Sequence, residues 1–274
     1  MRKILFLAIA VFTLATLPGC KKVWDYVKDH PNGTADNCRI EKIYFTERYV
    51  NPQDLEIFIF NDTANFKYNT KGQLTSVDYA STKYGYTVDA FPSINYAFVY
   101  DSQGRVLGFA EDGIYYDENT IGGLFLHKYT YINATQVVDS IFTYAKATQF
   151  GDDLEVDIKE GREILITLDN WGRIIKYGDT NYSYDASGNL VKPGVTYTSK
   201  KSIFQTNKVL MFVARDYSVN TPTGYATQFN SNQLPVKFNS GFLPIFTQQS
   251  YPFESQNSES GYENQNVKVE YKCK

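Results

Sequence analysis

The chain has 274 residues, a formal net charge of −3 and 16% aromatic side chains, with 23 Tyr and 19 Phe. The mildly acidic balance argues against a nucleic-acid binder, which needs a basic face to neutralise phosphates. Two His and three Cys are too few for a His- or Cys-rich metal site.

Met1-Arg2-Lys3 is a short basic head, and residues 4–17 are apolar apart from Thr13 and Thr16. That run has the length of a signal-peptide h-region and is too short to span a bilayer. Leu17-Pro18-Gly19-Cys20 resembles the lipobox of bacterial lipoproteins. The resemblance implies cleavage before Cys20, a diacylglycerol on its sulfur and an acylated amino terminus, so that residues 1–19 are a lipoprotein signal peptide. Loss of Arg2 and Lys3 with the leader takes the formal net charge from −3 to −5. Lys21-Lys22, in place of Asp directly after the lipidated Cys, implies onward sorting to an outer membrane, with the periplasmic or surface face left open. Residues 20–37 read as the lipidated Cys and a tether, with His30-Pro31-Asn32-Gly33 as a turn signal.

Residues 38–274 read as one β domain. Ile40-Glu41-Lys42-Ile43-Tyr44-Phe45, Leu55-Glu56-Ile57-Phe58-Ile59-Phe60, Ile94-Asn95-Tyr96-Ala97-Phe98-Val99-Tyr100 and Ile164-Leu165-Ile166-Thr167-Leu168 are strand-length, β-branched or aromatic, and bounded by turn residues. Tyr and Phe favour such strands because large side chains pack across a pleated surface. No long amphipathic helix follows the leader.

A repeat punctuates the strands. Tyr68-Asn69-Thr70-Lys71-Gly72-Gln73-Leu74 matches Tyr100-Asp101-Ser102-Gln103-Gly104-Arg105-Val106, Leu168-Asp169-Asn170-Trp171-Gly172-Arg173-Ile174 and Tyr184-Asp185-Ala186-Ser187-Gly188-Asn189-Leu190. Asp or Asn accepts hydrogen bonds from backbone amides further on, two residues form a type I turn, and Gly takes the left-handed conformation that restores strand twist. Each unit is therefore a β-hairpin. Ile132-Asn133-Ala134-Thr135-Gln136-Val137-Val138 is a weaker copy with Gln136 where Gly is expected. Phe229-Asn230-Ser231-Asn232-Gln233-Leu234 is a shortened copy with Asn232 expected at positive φ. Gly72, Gly104 and Gln136 are spaced by 32 and 32 residues, which predicts a meander with turns alternating between two ends of a sheet. At these units the chain resembles YD-repeat (RHS-like) sequences and the lipid-anchored YD-repeat proteins of Bacteroidota.

The fold expected is all-β: a single antiparallel meander of long hairpins, a twisted sheet curling towards a barrel, with a closed membrane barrel as the alternative. Cys38 and Cys273 lie on its first and last strands. Alternation puts Cys273 with Val267, Val269 and Tyr271, and Cys38 with Ile40, so both thiols are expected to face inward. They form either a disulfide, which an exported protein can keep, or two unpaired buried thiols.

Residues 247–266 are rich in Gln, Asn, Ser and Glu and carry Tyr251, Phe253 and Tyr262. A polar segment with embedded aromatics is the candidate ligand-contact surface, and anchoring of that loop to the sheet is the other reading. His127 sits in strand-like Leu124-Phe125-Leu126-His127-Lys128-Tyr129 and reads as a half-buried strand histidine. Residues 152–160 alternate acidic and apolar, the pattern of a solvated strand face. Asp62-Thr63-Ala64 and Asp139-Ser140-Ile141 resemble the short O-glycosylation acceptor of Bacteroidota. No cofactor or metal is called for, and with no catalytic constellation the chain is not expected to be an enzyme. The function expected is a lipid-anchored cell-envelope module that binds glycan or polypeptide. The alternatives are a structural or assembly lipoprotein of the outer membrane with no small ligand, and an envelope hydrolase.

Overall fold

The computed structural model describes residues 38–50, 57–81, 96–111, 114–117, 119–239 and 262–273. Its main body is a fifteen-stranded antiparallel sheet. Strands β1 (Cys38–Val50), β2 (Ile57–Tyr68), β3 (Leu74–Ser81), β4 (Tyr96–Tyr100), β5 (Val106–Glu111), β7 (Thr120–Asn133), β8 (Gln136–Phe150), β10 (Arg162–Leu168), β11 (Ile174–Tyr177) and β12 (Thr180–Asn181) follow one another across it. On the other flank of β1 lie β17 (Tyr262–Cys273), β16 (Pro235–Phe238) and β15 (Ala226–Phe229). The expected meander is therefore present, with the last strand returning to pair with the first. The sheet is open, with β12 and β15 at its edges, and does not close into a barrel.

The repeat turns form as the spacing requires. Gly72, Gly104, Gly172 and Gly188 have φ between 75° and 83°, and each donates its amide to the carbonyl of the Asn or Asp three residues earlier. Asp101 Oδ1 accepts from the amides of Gln103 and Arg105 at 3.0 and 2.8 Å. Two weaker copies differ from expectation. In the 229–234 copy the left-handed residue is Gln233 (φ 66°), not Asn232, because Asn230 accepts the amide of Gln233. That unit is full length, with Pro235 taking the position of the aliphatic residue. Gln136 does not take the glycine's place; it pairs with Asn133 across a two-residue turn.

Because successive strands are antiparallel, all these turns lie at one end of the sheet, called here the turn end. Cys38 and Cys273 are also there, paired in register and joined by a disulfide. Asn232 Nδ2 donates to both sulfurs, at 3.0 and 3.2 Å. Cys38 is buried as expected, whereas Cys273 is exposed, since the last residues of β17 run past the packed core.

Two apolar layers cover the sheet. On one face Ile40, Phe45, Phe66, Phe98, Phe109, Val137 and Ile166 pack with Ile203, Val209 and Leu210. The last three belong to a 3₁₀ turn (Ile203–Thr206) and a seven-residue helix, α1 (Lys208–Ala214). Asn207 caps α1 by accepting the Val209 amide at 2.9 Å. A two-stranded sheet, β13 (Tyr197–Lys201) with β14 (Asn220–Pro222), flanks that segment in the chain.

The second layer comes from the β7/β8 ribbon itself. β7 leaves β5 at Phe125 and β8 leaves β10 at Ile141. Beyond, the ribbon pairs with β6 (Ile114–Asp117) and β9 (Asp153–Val156) instead. Between these stretches lie Gly122-Gly123 and Tyr144, which has φ 53°. The ribbon folds back there, bringing Asp152 to the β4–β5 turn, where it accepts from the Ser102 amide and hydroxyl at 2.6 Å each. Leu154 then packs with Ala97, Val99, Leu107 and Ala110. Gly108 permits this approach, since a Cβ there would stand 2.5 Å from Leu154 Cδ2.

Candidate functional site

The most developed cluster of polar side chains under the α1 layer centres on His127. Pairing of β7 with β8 puts His127 opposite Ile141 and Tyr129 opposite Asp139, so His127 and Asp139 are diagonal neighbours on one face. His127 Nδ1 stands 3.0 Å from both oxygens of Asp139. Tyr177, from β11, donates its hydroxyl to Asp139 Oδ2 at 2.8 Å. Asp139 is 1% exposed. Phe109 and Tyr129 flank the imidazole, with ring centroids 5.5 and 6.1 Å away. Arg215, the left-handed residue that ends α1, lays its guanidinium 4.3 Å from the centre of the Tyr177 ring.

Electrostatically the cluster favours the protonated form of His127. Burial pulls the imidazole down, but the Asp139 carboxylate more than offsets this by charge and hydrogen bond. Glu111 acts in the same sense and Arg215 against it, leaving His127 above its ordinary value. Burial pushes the Tyr129 and Tyr177 phenols up, so both stay neutral. A buried imidazole–carboxylate pair with a supporting phenol orients its own members. For nucleophilic catalysis the other ring nitrogen would have to meet a hydroxyl or thiol, and among the described residues Nε2 makes no hydrogen bond.

The strand placement expected for His127 holds, and the partners that give it meaning, Asp139, Tyr177 and Arg215, lie far away in sequence. Ser140 is buried beside Asp139, which removes its hydroxyl from reach of a modifying enzyme in the folded protein. Residues 152–160 behave as read: Leu154 is buried while Asp153 and Glu155 are exposed. Among the described residues no group of three or more His, Cys, Asp or Glu is arranged to hold a metal ion, and no helix is long and apolar enough to cross a membrane.

Tyr251 and Phe253, like Cys20, lie outside the described residues. Tyr262 opens β17 opposite Tyr49, at the end of the sheet away from the turns. Residues 51–56, 82–95 and 240–261 all leave and re-enter the described strands away from the turn end. Short repeat turns are thus segregated at one end, and these longer connecting segments depart from the other side of the strands.

The chain matches no known family model, and no curated protein is significantly similar to it. Its function is therefore argued from its own residues.

Proposed function

We propose that the chain is a lipid-anchored binding or interaction module of the cell envelope. It is held at the outer membrane through Cys20 and contacts a glycan or polypeptide through residues 247–266, with Tyr251, Phe253 and Tyr262 as contact side chains. The observation that carries this reading is the segregation just described. The chain enters the domain at the turn end, at Cys38, while residues 240–261 leave from the opposite side, the arrangement of a scaffold that presents a contact segment away from its anchor. The Cys38–Cys273 disulfide supports an oxidising compartment, in keeping with the leader at residues 1–19.

A glycan array probed with the full chain, in parallel with crosslinking in envelope preparations, tests this function. Tyr251→Ala combined with Phe253→Ala is expected to weaken the captured interaction at least tenfold while leaving the far-ultraviolet circular dichroism unchanged. Binding that survives the double substitution intact overturns the assignment of residues 247–266.

A further inference from the structure

The turn end carries two features that the repeat turns themselves do not require. The first is the attachment point. Cys38, the first residue of β1, is fixed there by its bond to Cys273. Seventeen residues separate it from Cys20, and even fully stretched they reach no more than about 60 Å. The thirteen-residue β1 is about 40 Å long. To bring the far end of the sheet against a bilayer, the connecting chain would have to double back along the body at about two-thirds of its full extension. Holding residues in one such state costs conformational entropy. The turn end is reached without that cost.

The second feature is exposed apolar surface at the same end. Trp171, at the tip of the β10–β11 turn, is 74% exposed, and Ile132 and Phe150 are each 58% exposed. The Trp171 amide is tied to Asp169 Oδ1 at 2.8 Å, so the turn holds the residue while its ring makes no hydrogen bond or ring contact among the described residues. Phe150 ends β8, and Asp152 just beyond it is bonded to Ser102 of the β4–β5 turn, which places Phe150 at this end too. The tips around them are small and polar, with Ser102, Gln103, Ala134 and Ser187. An amphipathic indole and two further exposed apolar side chains at one end of the sheet suit the headgroup–acyl boundary of a bilayer, and the described tips carry no cluster of cations of the kind an anionic polymer would require.

We infer that the turn end rests on the lipid surface, with Trp171 as its interfacial anchor. This rests on the reading that Cys20 is lipidated, and the experiment separates the two. The full chain with Trp24→Phe leaves Trp171 as the sole tryptophan. It is expressed with its leader in a diderm bacterium, checked by intact mass, and reconstituted into phosphatidylethanolamine–phosphatidylglycerol vesicles with or without acyl-brominated lipid. Brominated lipid is expected to quench Trp171 emission by at least half. A far-end reporter, Ile57→Trp in a Trp24→Phe, Trp171→Phe background, is expected to keep its emission. Lipidated protein whose Trp171 is not quenched, or in which both reporters are quenched equally, overturns the orientation and leaves the anchor standing. A mass without the diacylglyceryl group overturns the anchor and the orientation together.

Discussion

Asp139 is the residue on which the interior polar chemistry turns. It is buried and holds His127 and Tyr177 at once, so truncation strands a cation and a phenol under α1. Removing one partner of a buried pair typically costs about 3–5 kcal/mol, and Asp139→Ala is expected to lose that much in urea unfolding. The pH dependence has a definite sign. His127 is raised in the folded state, so its contribution is complete below the unfolded histidine value of about 6.5 and fades as pH climbs through the raised folded value. The stability gap between the native chain and His127→Gln should accordingly be wider at pH 5.5 than at pH 9; a gap independent of pH would show that folding does not shift the His127 titration, and a gap narrower at pH 5.5 that the fold favours the neutral ring. Part of this was readable beforehand. Alternation puts Asp139 on the face of Val137 and Ile141, and a lone acid on an apolar face signals a buried partner. The partner's identity was not readable, because Tyr177 and Arg215 arrive through tertiary packing 38 and 76 residues further on.

The hairpin units are legible as turns because their chemistry is local: an acid or amide, two turn residues and a glycine. Their coupling is not local, and the structure shows what the conserved-looking ends of the repeat do. A tyrosine at or just before the head of a unit donates its hydroxyl to the carbonyl of the residue that closes an earlier turn. Tyr100 bonds Leu74 at 2.6 Å, Tyr131 bonds Val106 at 3.0 Å, and Tyr184 bonds Ile174 at 3.1 Å. Pro235, which closes the unit at 229–235, is bonded in the same way by Tyr271 of β17, at 2.6 Å. Where the residue after glycine is Arg, its guanidinium lies over the next tyrosine: Arg105 on Tyr131 at 4.1 Å and Arg173 on Tyr184 at 4.3 Å. Asp101 and Asp169 hold those same arginines through Nε at 2.6 and 2.8 Å. Each unit is thus stapled to a neighbour by one hydroxyl and, in two cases, one stacked cation. Tyr100→Phe removes only the hydroxyl and leaves the Leu74 carbonyl short of a donor, at a cost of about 1 kcal/mol. Tyr131→Phe should cost a similar amount, and because the two hydroxyls go to different carbonyls, Leu74 and Val106, the double variant should lose nearly the sum. Chemical denaturation of the three variants checks this, and a double variant no weaker than either single one would mean that the staples do not act independently. The helix escaped the sequence reading for a different reason. Seven residues give too short a run for a 3.6-residue period, and α1 depends on the Asn207 cap and on burial of Val209 and Leu210.

At the scale of the whole molecule, antiparallel pairing was legible and closure was not. Alternation along β1 and β17 marks both as half-buried strands, but nothing in two separate strand patterns says that the first pairs with the last. The fold-back of the β7/β8 ribbon was equally hidden, since Gly122-Gly123 can mark a turn, a bulge or a bend. The β1–β17 seam determines how the open sheet behaves, because it joins the flank that forms first in the chain to the strands that come last. Its covalent member, Cys38–Cys273, spans 235 residues. Closing so long a loop restricts the unfolded chain by an amount worth about 5 kcal/mol in the chain-entropy treatment, an upper bound for a bridge that leaves the native strands undisturbed. The strand pairing itself persists without the bond, because Ile40, Ile43, Val267 and Val269 remain buried along it. The paired variant Cys38→Ser, Cys273→Ser should therefore fold but unfold at a clearly lower urea concentration than the oxidised native chain. The native chain held in reductant should fall to the same midpoint, since both lose the same constraint on the unfolded state. Equal midpoints for the oxidised and reduced native chain would place the stability of the seam in its strand pairing and side-chain packing alone.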